Sequence, residues 1–376
     1  MKKFLFLTSL ALALAGCIYP FDAGVASEDS GGLVVEGDIL IGDLARVSLS
    51  CVRPFGEYSK GVSGNVWIED EDGNQYIEDA SKFSDSFTIN MEQASPDKRY
   101  RLRVHLMNPV SGSSSTDYTS DWLEVQQAPS FDKLDYVVDE NSIDLKLSLS
   151  SPGGSGCFRW DFDEIWQFHA PLQATHTYDP EQGIYIKYKD YTPYYWCWAY
   201  MGSYQAGLAI AKSTGGERIV DHDFYSISRD NLRLQTLYYI EVKARGISQE
   251  CYDYLHTIEV NSTSTGSLTN PEPSQILGNI HSDTDPDEVV IGYIEASRIA
   301  TKSIYIEAGY YREGHTRYET FHPDPERLNQ FYYNGFRPAF PEQSETDIVW
   351  IEQRCVDCVA MGGSKYKPPF WPTREQ

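Results

Sequence analysis

Tyr100-Arg101-Leu102-Arg103-Val104-His105-Leu106 decides the reading of this chain, because apolar and polar residues alternate along it without a break. A period of two places Tyr100, Leu102, Val104 and Leu106 on one face of a strand and Arg101, Arg103 and His105 on the other. The turn-forming Ser95-Pro96-Asp97-Lys98 precedes it. A tyrosine entering a strand just after such a turn has the look of the tyrosine corner of an immunoglobulin-like sandwich. Working back toward the N-terminus, Leu33 to Leu40 and Ala45 to Ser50 flank Gly42-Asp43, and Asn65 to Ile68 and Gln75 to Ile77 flank Asp72-Gly73. Both read as hairpins, the second on the Asp-Gly turn signal. Residues 33–127 therefore read as one β-sandwich domain, with Ala128-Pro129 as its boundary.

Forward of that boundary the pattern restarts. Leu134 to Val138 and Ile143 to Leu149 alternate, the turn Ser151-Pro152-Gly153-Gly154 follows, and Cys157 to Phe162 returns as a strand. A second sandwich is expected over residues 129–262, with Leu237 to Ala244 as its last strand. Ser248 is placed to cap a short helix carrying Cys251, Tyr252, Tyr254, Leu255 and Ile258 on one face. Strands at Val289 to Ile294 and Lys302 to Ala308 and a Pro- and aromatic-rich end make residues 263–376 an irregular C-terminal appendage expected to pack on the second sandwich. The fold class that follows is mainly β, two immunoglobulin- or fibronectin-like β-sandwich domains in tandem with a short helix and that appendage. Its 27 tyrosines and 8 tryptophans agree with β structure and broad contact surfaces.

Ahead of the first sandwich, Met1-Lys2-Lys3 and the largely apolar run Phe4 to Ala15 form a secretory signal peptide over residues 1–16. Leu14-Ala15-Gly16-Cys17 is a lipobox, so the chain is expected to be cleaved before Cys17 and acylated on its thiol, with residues 17–32 as a lipidated tether. Several acyl chains make a stable anchor where one is marginal. No second apolar run reaches the roughly eighteen residues of a membrane helix. The net charge of −24 disfavours nucleic acid or an anionic surface as partner, and no nucleic-acid partner is expected.

Six cysteines remain beside Cys17, an even set that reads as disulfides in an exported protein. Cys355–Cys358, close in sequence, and Cys197–Cys251, tying an aromatic stretch to the helix, are the first choices. Cys51 with Cys157 follows by elimination only. Cys355-x-x-Cys358 lacks the second ligand pair of a zinc site and the following helix of a redox motif. Asp283-Thr284-Asp285-Pro286-Asp287-Glu288 departs from a calcium loop and reads as a solvated turn. His169 and His176 read as packing or surface histidines, and Asp161, Asp163 and Glu164 carry no spacing that places carboxylates across a sugar cleft. No catalytic constellation, metal site or cofactor motif is read, so an enzyme is not expected. The one candidate binding surface is the aromatic stretch with Tyr191, Tyr194, Tyr195, Trp196, Trp198 and Tyr200.

Cys17-Ile18-Tyr19-Pro20-Phe21, Leu33-Val34-Val35-Glu36-Gly37, Trp196-Cys197-Trp198, Thr265-Gly266-Ser267-Leu268, the run Pro273 to His281, Gly292-Tyr293 and the run Cys355 to Cys358 through Lys367-Pro368-Pro369-Phe370-Trp371 together resemble the Bacteroidota outer-membrane lipoproteins carrying domain of unknown function 4249. The resemblance spans nearly the whole chain after Cys17 and brings no catalytic residues. It implies an outer-membrane lipoprotein, similar in setting to accessory lipoproteins encoded beside TonB-dependent transporters; cell-surface exposure is expected, with the periplasmic leaflet as the alternative. The expected role is thus a non-catalytic accessory or ligand-binding partner of such a transporter in nutrient uptake. The alternative is a structural or adhesive surface module, and a glycan- or peptide-processing enzyme is a distant third.

Overall fold

A computed structural model describes residues 32–52, 62, 64–78, 85–107, 116–151, 153–189, 192–203, 208–263, 278–307, 309–312, 318–339 and 348–372. Cys17, the lipobox and Tyr191 lie outside the described residues. What is described is mainly β, in several sheets, none closed into a barrel. The first half supplies β1 (Leu33–Leu40), β2 (Leu44–Cys51), β3 (Gly64–Asp70), β4 (Gln75–Ile77), β5 (Ser86–Asn90), β6 (Tyr100–Leu106) and β7 (Thr116–Ser120). The middle supplies β8 (Ser130–Val138), β9 (Ser142–Ser150), β10 (Cys157–His169), β11 (His176–Asp179), β12 (Ile184–Lys187), β13 (Trp196–Gly202), β14 (Ile210–Lys212), β15 (Arg218–Ser228), β16 (Leu237–Ile247) and helix α1 (Gln249–Thr263). The remainder adds β17 (Ile280–Ser282), β18 (Ala296–Ser297), β19 (Ile299–Glu307), helix α2 (Leu328–Tyr333), β20 (Phe336–Ala339) and β21 (Val349–Glu352).

Two sheets, ordered β18-β1-β2-β5 and β17-β7-β6-β3-β4, enclose the first core. The alternation in β6 works as its sequence dictates: Tyr100, Leu102, Val104 and Leu106 are buried and the residues between them half-buried. The Tyr100 hydroxyl donates to the Ser95 carbonyl at 2.6 Å. The β3–β4 turn is held by the Asp70 carboxylate, which accepts from the Asp72 and Asn74 amides and pairs with Lys98 at 2.8 Å. Its acids are thus turn chemistry.

The second core lies between the three-stranded sheet β15-β9-β8 and the sheet β13-β10-β16-β19, to which β14 adds by pairing with β10. The long β10 is central, with Phe158, Trp160 and Phe162 turned inward. Ser248 caps α1, its hydroxyl accepting from the Cys251 amide at 3.1 Å.

The expected appendage of residues 263–376 is divided instead. Ile280–Ser282 pairs with β7, Ala296–Ser297 runs parallel to β1, and Ile280, Val290, Ile294 and Ala296 are buried in the first core. Val289 to Ile294, read as a strand, follows β1 only through bonds such as Val35 N–H to the Ile291 carbonyl at 2.8 Å. Gly292 sits at φ +144°, where an added Cβ would lie 2.0 Å from the Val35 carbonyl oxygen. This close approach interrupts a regular ladder and admits only glycine. Then β19 crosses to the second core and pairs with β16. From about residue 321 to β21 the chain forms the small β20-β21 sheet with α2, packed against β11 and β12, and its described remainder to 372 lies on β13, β16 and β19 of the second core.

A charge cluster centred on the buried Arg245 joins the two cores. Arg245, 3% exposed, pairs with Asp38 of β1 at 2.9 Å and with Asp161 at 2.8 Å, while Arg159 reaches Asp38 at 3.1 Å. Beside it the buried Glu295 accepts from both the amide and the hydroxyl of Ser248. An unpaired buried charge costs several kcal/mol, so the reciprocal pairing fixes how the halves meet.

Candidate functional site

Strand alternation on β13 puts Trp196, Trp198 and Tyr200 on one face and Cys197 on the other. On β13, Cys197 turns inward, and its neighbours Trp196 and Trp198 are half-buried. Tyr195 stacks on His169 with ring centroids 5.0 Å apart, and Trp196 meets the same ring edge-on at 5.1 Å. Tyr194 is held through its carbonyl, which accepts from the Cys358 amide at 2.9 Å, and Trp198 exchanges both backbone bonds with Ser364. Tyr194 and Trp198 thus seat the C-terminal segment through their backbones and Tyr195 packs on the cluster that holds Cys358, while Trp196 packs on His169 and Tyr195. Tyr200, at 64% exposure, points away from the core.

The covalent tie in this seam is Cys197–Cys358, with Cα atoms 5.7 Å apart. The expected pairs are corrected accordingly. Cys355 ends a short 3₁₀ turn and is buried with Ile351, Val356, Ala174 and Ala339, whereas Cys358 faces Phe168, Ala170 and Cys197. Proximity in sequence does not bring the two sulfurs of the motif together. Cys251 packs with Cys157 and Ile247. Cys157 begins β10, whereas Cys197 pairs with Phe168 near its other end, a span of about 36 Å along a strand. Cys51 borders the first core and Cys157 the second. Cys51, Cys157, Cys251 and Cys355 accordingly carry thiols, and burial pushes up the pKa of Cys157, Cys251 and Cys355.

What the sequence alone does not reveal is that Tyr200 belongs to a row. Register places it opposite Ile165 of β10, Ile165 opposite Tyr239 of β16, and Tyr239 opposite Tyr305 of β19. Residues directly opposed across strands share a face, so these four side chains cross the outer face of the sheet in one line. Tyr239 and Tyr305 lie 4.9 Å apart, and Phe370, 52% exposed, settles 5.1 Å from Tyr239. Trp371, buried, meets Tyr305 edge-on at 6.0 Å. A polar row runs alongside. The Tyr200 hydroxyl donates to Asp163 at 2.7 Å, the Tyr239 hydroxyl to Glu241 at 3.1 Å, and Lys243 reaches Asp163 at 3.1 Å. Tyr239 and Tyr305 each read as one more alternating strand position; only the pairing of four distant segments makes them neighbours.

The acids considered for glycoside chemistry do not converge. Asp161 and Asp163 stand on this outer face, while Glu164, at 1% exposure, points into the second core. There it accepts from the Tyr238 hydroxyl at 2.8 Å and pairs with Arg233 at 3.1 Å. Burial raises its pKa, and the Tyr238 bond and the Arg233 charge only partly offset that. The arrangement fixes the core. His169 lies 2.8 Å through Nδ1 from the Ala170 carbonyl, and His176 opens β11. In the acidic turn, Asp283 pairs with Arg103 and Glu288 accepts from the Tyr118 hydroxyl, so both acids brace the first sheet. No group of three metal-ligating side chains is found among the described residues.

No curated protein matches this chain. The model of the family called domain of unknown function 4249 matches residues 18–303, from the residue after Cys17 to the middle of β19. That span takes in both cores and leaves outside it the segment that clasps the aromatic seam, and the chain belongs to the domain of unknown function 4249 family.

Proposed function

We propose that this chain is a non-catalytic outer-membrane lipoprotein, anchored through acylated Cys17 and displayed at the cell surface as an accessory or ligand-binding partner of a TonB-dependent transporter. Its architecture we infer to be two immunoglobulin-like sandwiches in tandem. Each core enclosed by two facing sheets supports this, as does the bond from the Tyr100 hydroxyl to a carbonyl five residues upstream. The lipobox Leu14-Ala15-Gly16-Cys17 supports the anchor. Among the described residues no helix is long and apolar enough to cross a membrane.

The observation that carries the binding reading is the row Tyr200, Ile165, Tyr239 and Tyr305, exposed at Tyr200 and Tyr305 and half-buried between them, extended by the exposed Phe370 and set on a sheet. Rings held on a scaffold offer broad contact at low entropic cost, and such a patch concentrates its energy in a few anchors of about 2 kcal/mol each. The test is co-purification from native membranes in mild detergent. Tyr200→Ala and Phe370→Ala should lower recovery of the transporter at an unchanged melting temperature, whereas Tyr195→Ala, which removes the ring stacked on His169, should lower the melting temperature first. If the wild-type protein brings down no transporter, the partner reading fails. For the anchor, labelled fatty acid should enter the wild-type chain and not Cys17→Ala.

A further inference from the structure

A second site lies between the β11–β12 hairpin and the C-terminal segment. A cavity of about 240 Å³ opens there, lined by His176, Thr177, Tyr188, Tyr194, Arg337 and Gln353 among others. It holds the volume of roughly eight liquid waters, the scale of one sugar unit. Among the described residues of its lining Arg337 is the one arginine or lysine. The guanidinium lies 4.1 Å over the Tyr332 ring and spends Nη1 on the carbonyls of Tyr332 and Phe336, both at 2.8 Å. Among the described residues it pairs with no carboxylate, in a chain with 55 acidic and 31 basic side chains. The one acid among the described residues of the lining, Asp357, accepts from Gln353 at 2.7 Å and from the Val359 amide at 2.8 Å. A planar guanidinium stacked on a ring and partly occupied is oriented, and its remaining N–H groups form a fork suited to a carboxylate.

We propose that this cavity binds a small carboxylate of the size of a single sugar acid. Arg337 forks the carboxylate, and the rings of Tyr188 and Tyr194 carry the body. The rest of the lining favours a hydroxyl-bearing body over an apolar one, since His176, Thr177 and Gln353 can all donate or accept. One wall is covalently held, because Cys358 follows Asp357 and its amide donates to the Tyr194 carbonyl. The site stands apart from the outer aromatic row. It deepens the ligand-binding reading above by giving the ligand a class, and it rests on that reading only for its biological setting.

The test is calorimetric titration of the full chain in mild detergent at low salt, with D-glucuronate as probe and D-glucose as its neutral match. Glucuronate should bind, and glucose should bind at least about tenfold more weakly. Arg337→Gln should weaken glucuronate binding by about 10- to 100-fold, the loss of a charge-assisted fork. Arg337→Lys, which keeps the charge and loses the fork, should fall between. Thr177→Trp should occlude the cavity while leaving Arg337 in place, and it decides the matter if Arg337→Gln lowers the melting temperature. The proposal is overturned if wild-type protein shows no glucuronate binding at millimolar concentration, if glucose binds equally well, or if glucuronate binding survives Thr177→Trp. Transporter co-purification is scored separately, so a chain that binds glucuronate without a transporter, or the reverse, shows which of the two readings has failed.

Discussion

Both cores are completed by chain that returns from far along the sequence, but by different means. The first is finished by backbone: β17 pairs with β7, β18 with β1, and the stretch between them bonds along β1 past Gly292. The second also gains a strand in β19. Its β13 edge takes backbone bonds at Trp198–Ser364 and Tyr194–Cys358, but the closure also rests on side chains: the Cys197–Cys358 disulfide holds the C-terminal segment there, and rings around Tyr178, Tyr185 and Trp350 seat the β20-β21 sheet on β11 and β12. Main-chain pairing tolerates many side chains and leaves only glycine marks. Side-chain closure needs cysteine and large aromatics, so it is visible in composition and vulnerable to single substitutions.

The largest effect is therefore expected at Trp350. It is fully buried, donates Nε1–H to the Tyr185 hydroxyl at 3.2 Å and lies edge-on to Tyr178 at 5.4 Å. Trp350→Ala should destabilise the clasp by about 3–5 kcal/mol. Hydrogen exchange should rise across residues 176–187 and 321–356 and stay unchanged in β1 to β7. Equal loosening of both cores would break the distinction drawn above.

Removing the disulfide comes next. A bridge between residues 161 apart restricts the unfolded chain strongly, and Cys358→Ser should cost roughly 2–5 kcal/mol. The exchange of residues near Tyr194, Trp198 and Ser364 should rise most. The same experiment counts thiols: the denatured, unreduced chain should yield Cys51, Cys157, Cys251 and Cys355 to alkylation and protect Cys197 and Cys358. Alkylation of Cys358 in wild-type protein would contradict the pairing.

These two regions also differ in how far the sequence discloses them. The hairpins at Gly42-Asp43 and Asp72-Gly73, the alternation of β6 and the cap at Ser248 rest on neighbouring residues, and each is present as expected. The return of residues 280–297 to the first core is not legible, because an apolar pattern specifies burial without naming the partner strand. Cys355 and Cys358 look paired in the sequence, yet a short turn aims them into separate clusters. Nor does any local signal join Tyr200 to Tyr239 and Tyr305, or place Arg337 across from Tyr194. The candidate site is an outcome of register and of C-terminal packing.

Backbone closure has its own weak point in Gly292. A Cβ there meets the Val35 carbonyl oxygen at 2.0 Å, and φ +144° is strained for any other residue. Gly292→Ala should cost about 2 kcal/mol or more. Here the pattern is reversed, with exchange rising along β1 and the clasp at Trp350 left protected. Loosening of the clasp instead would mean that the two closures are one cooperative unit.

The smallest expected effect tests what the first core has independently of any returning chain. Tyr100 is fully buried, its ring lies 6.1 Å from that of Tyr76, and its hydroxyl reaches the Ser95 carbonyl across the turn that precedes β6. Tyr100→Phe keeps the ring and deletes one bond to a carbonyl. The net worth of such a bond is about 1 kcal/mol, with a further cost if the Ser95 carbonyl is left without another donor. Exchange should rise within residues 94–100 and leave both β17 and the clasp unaltered, because the bond is local. A loss of several kcal/mol would make the corner the principal tie of the first core and its backbone closure secondary, inverting the contrast between the two halves.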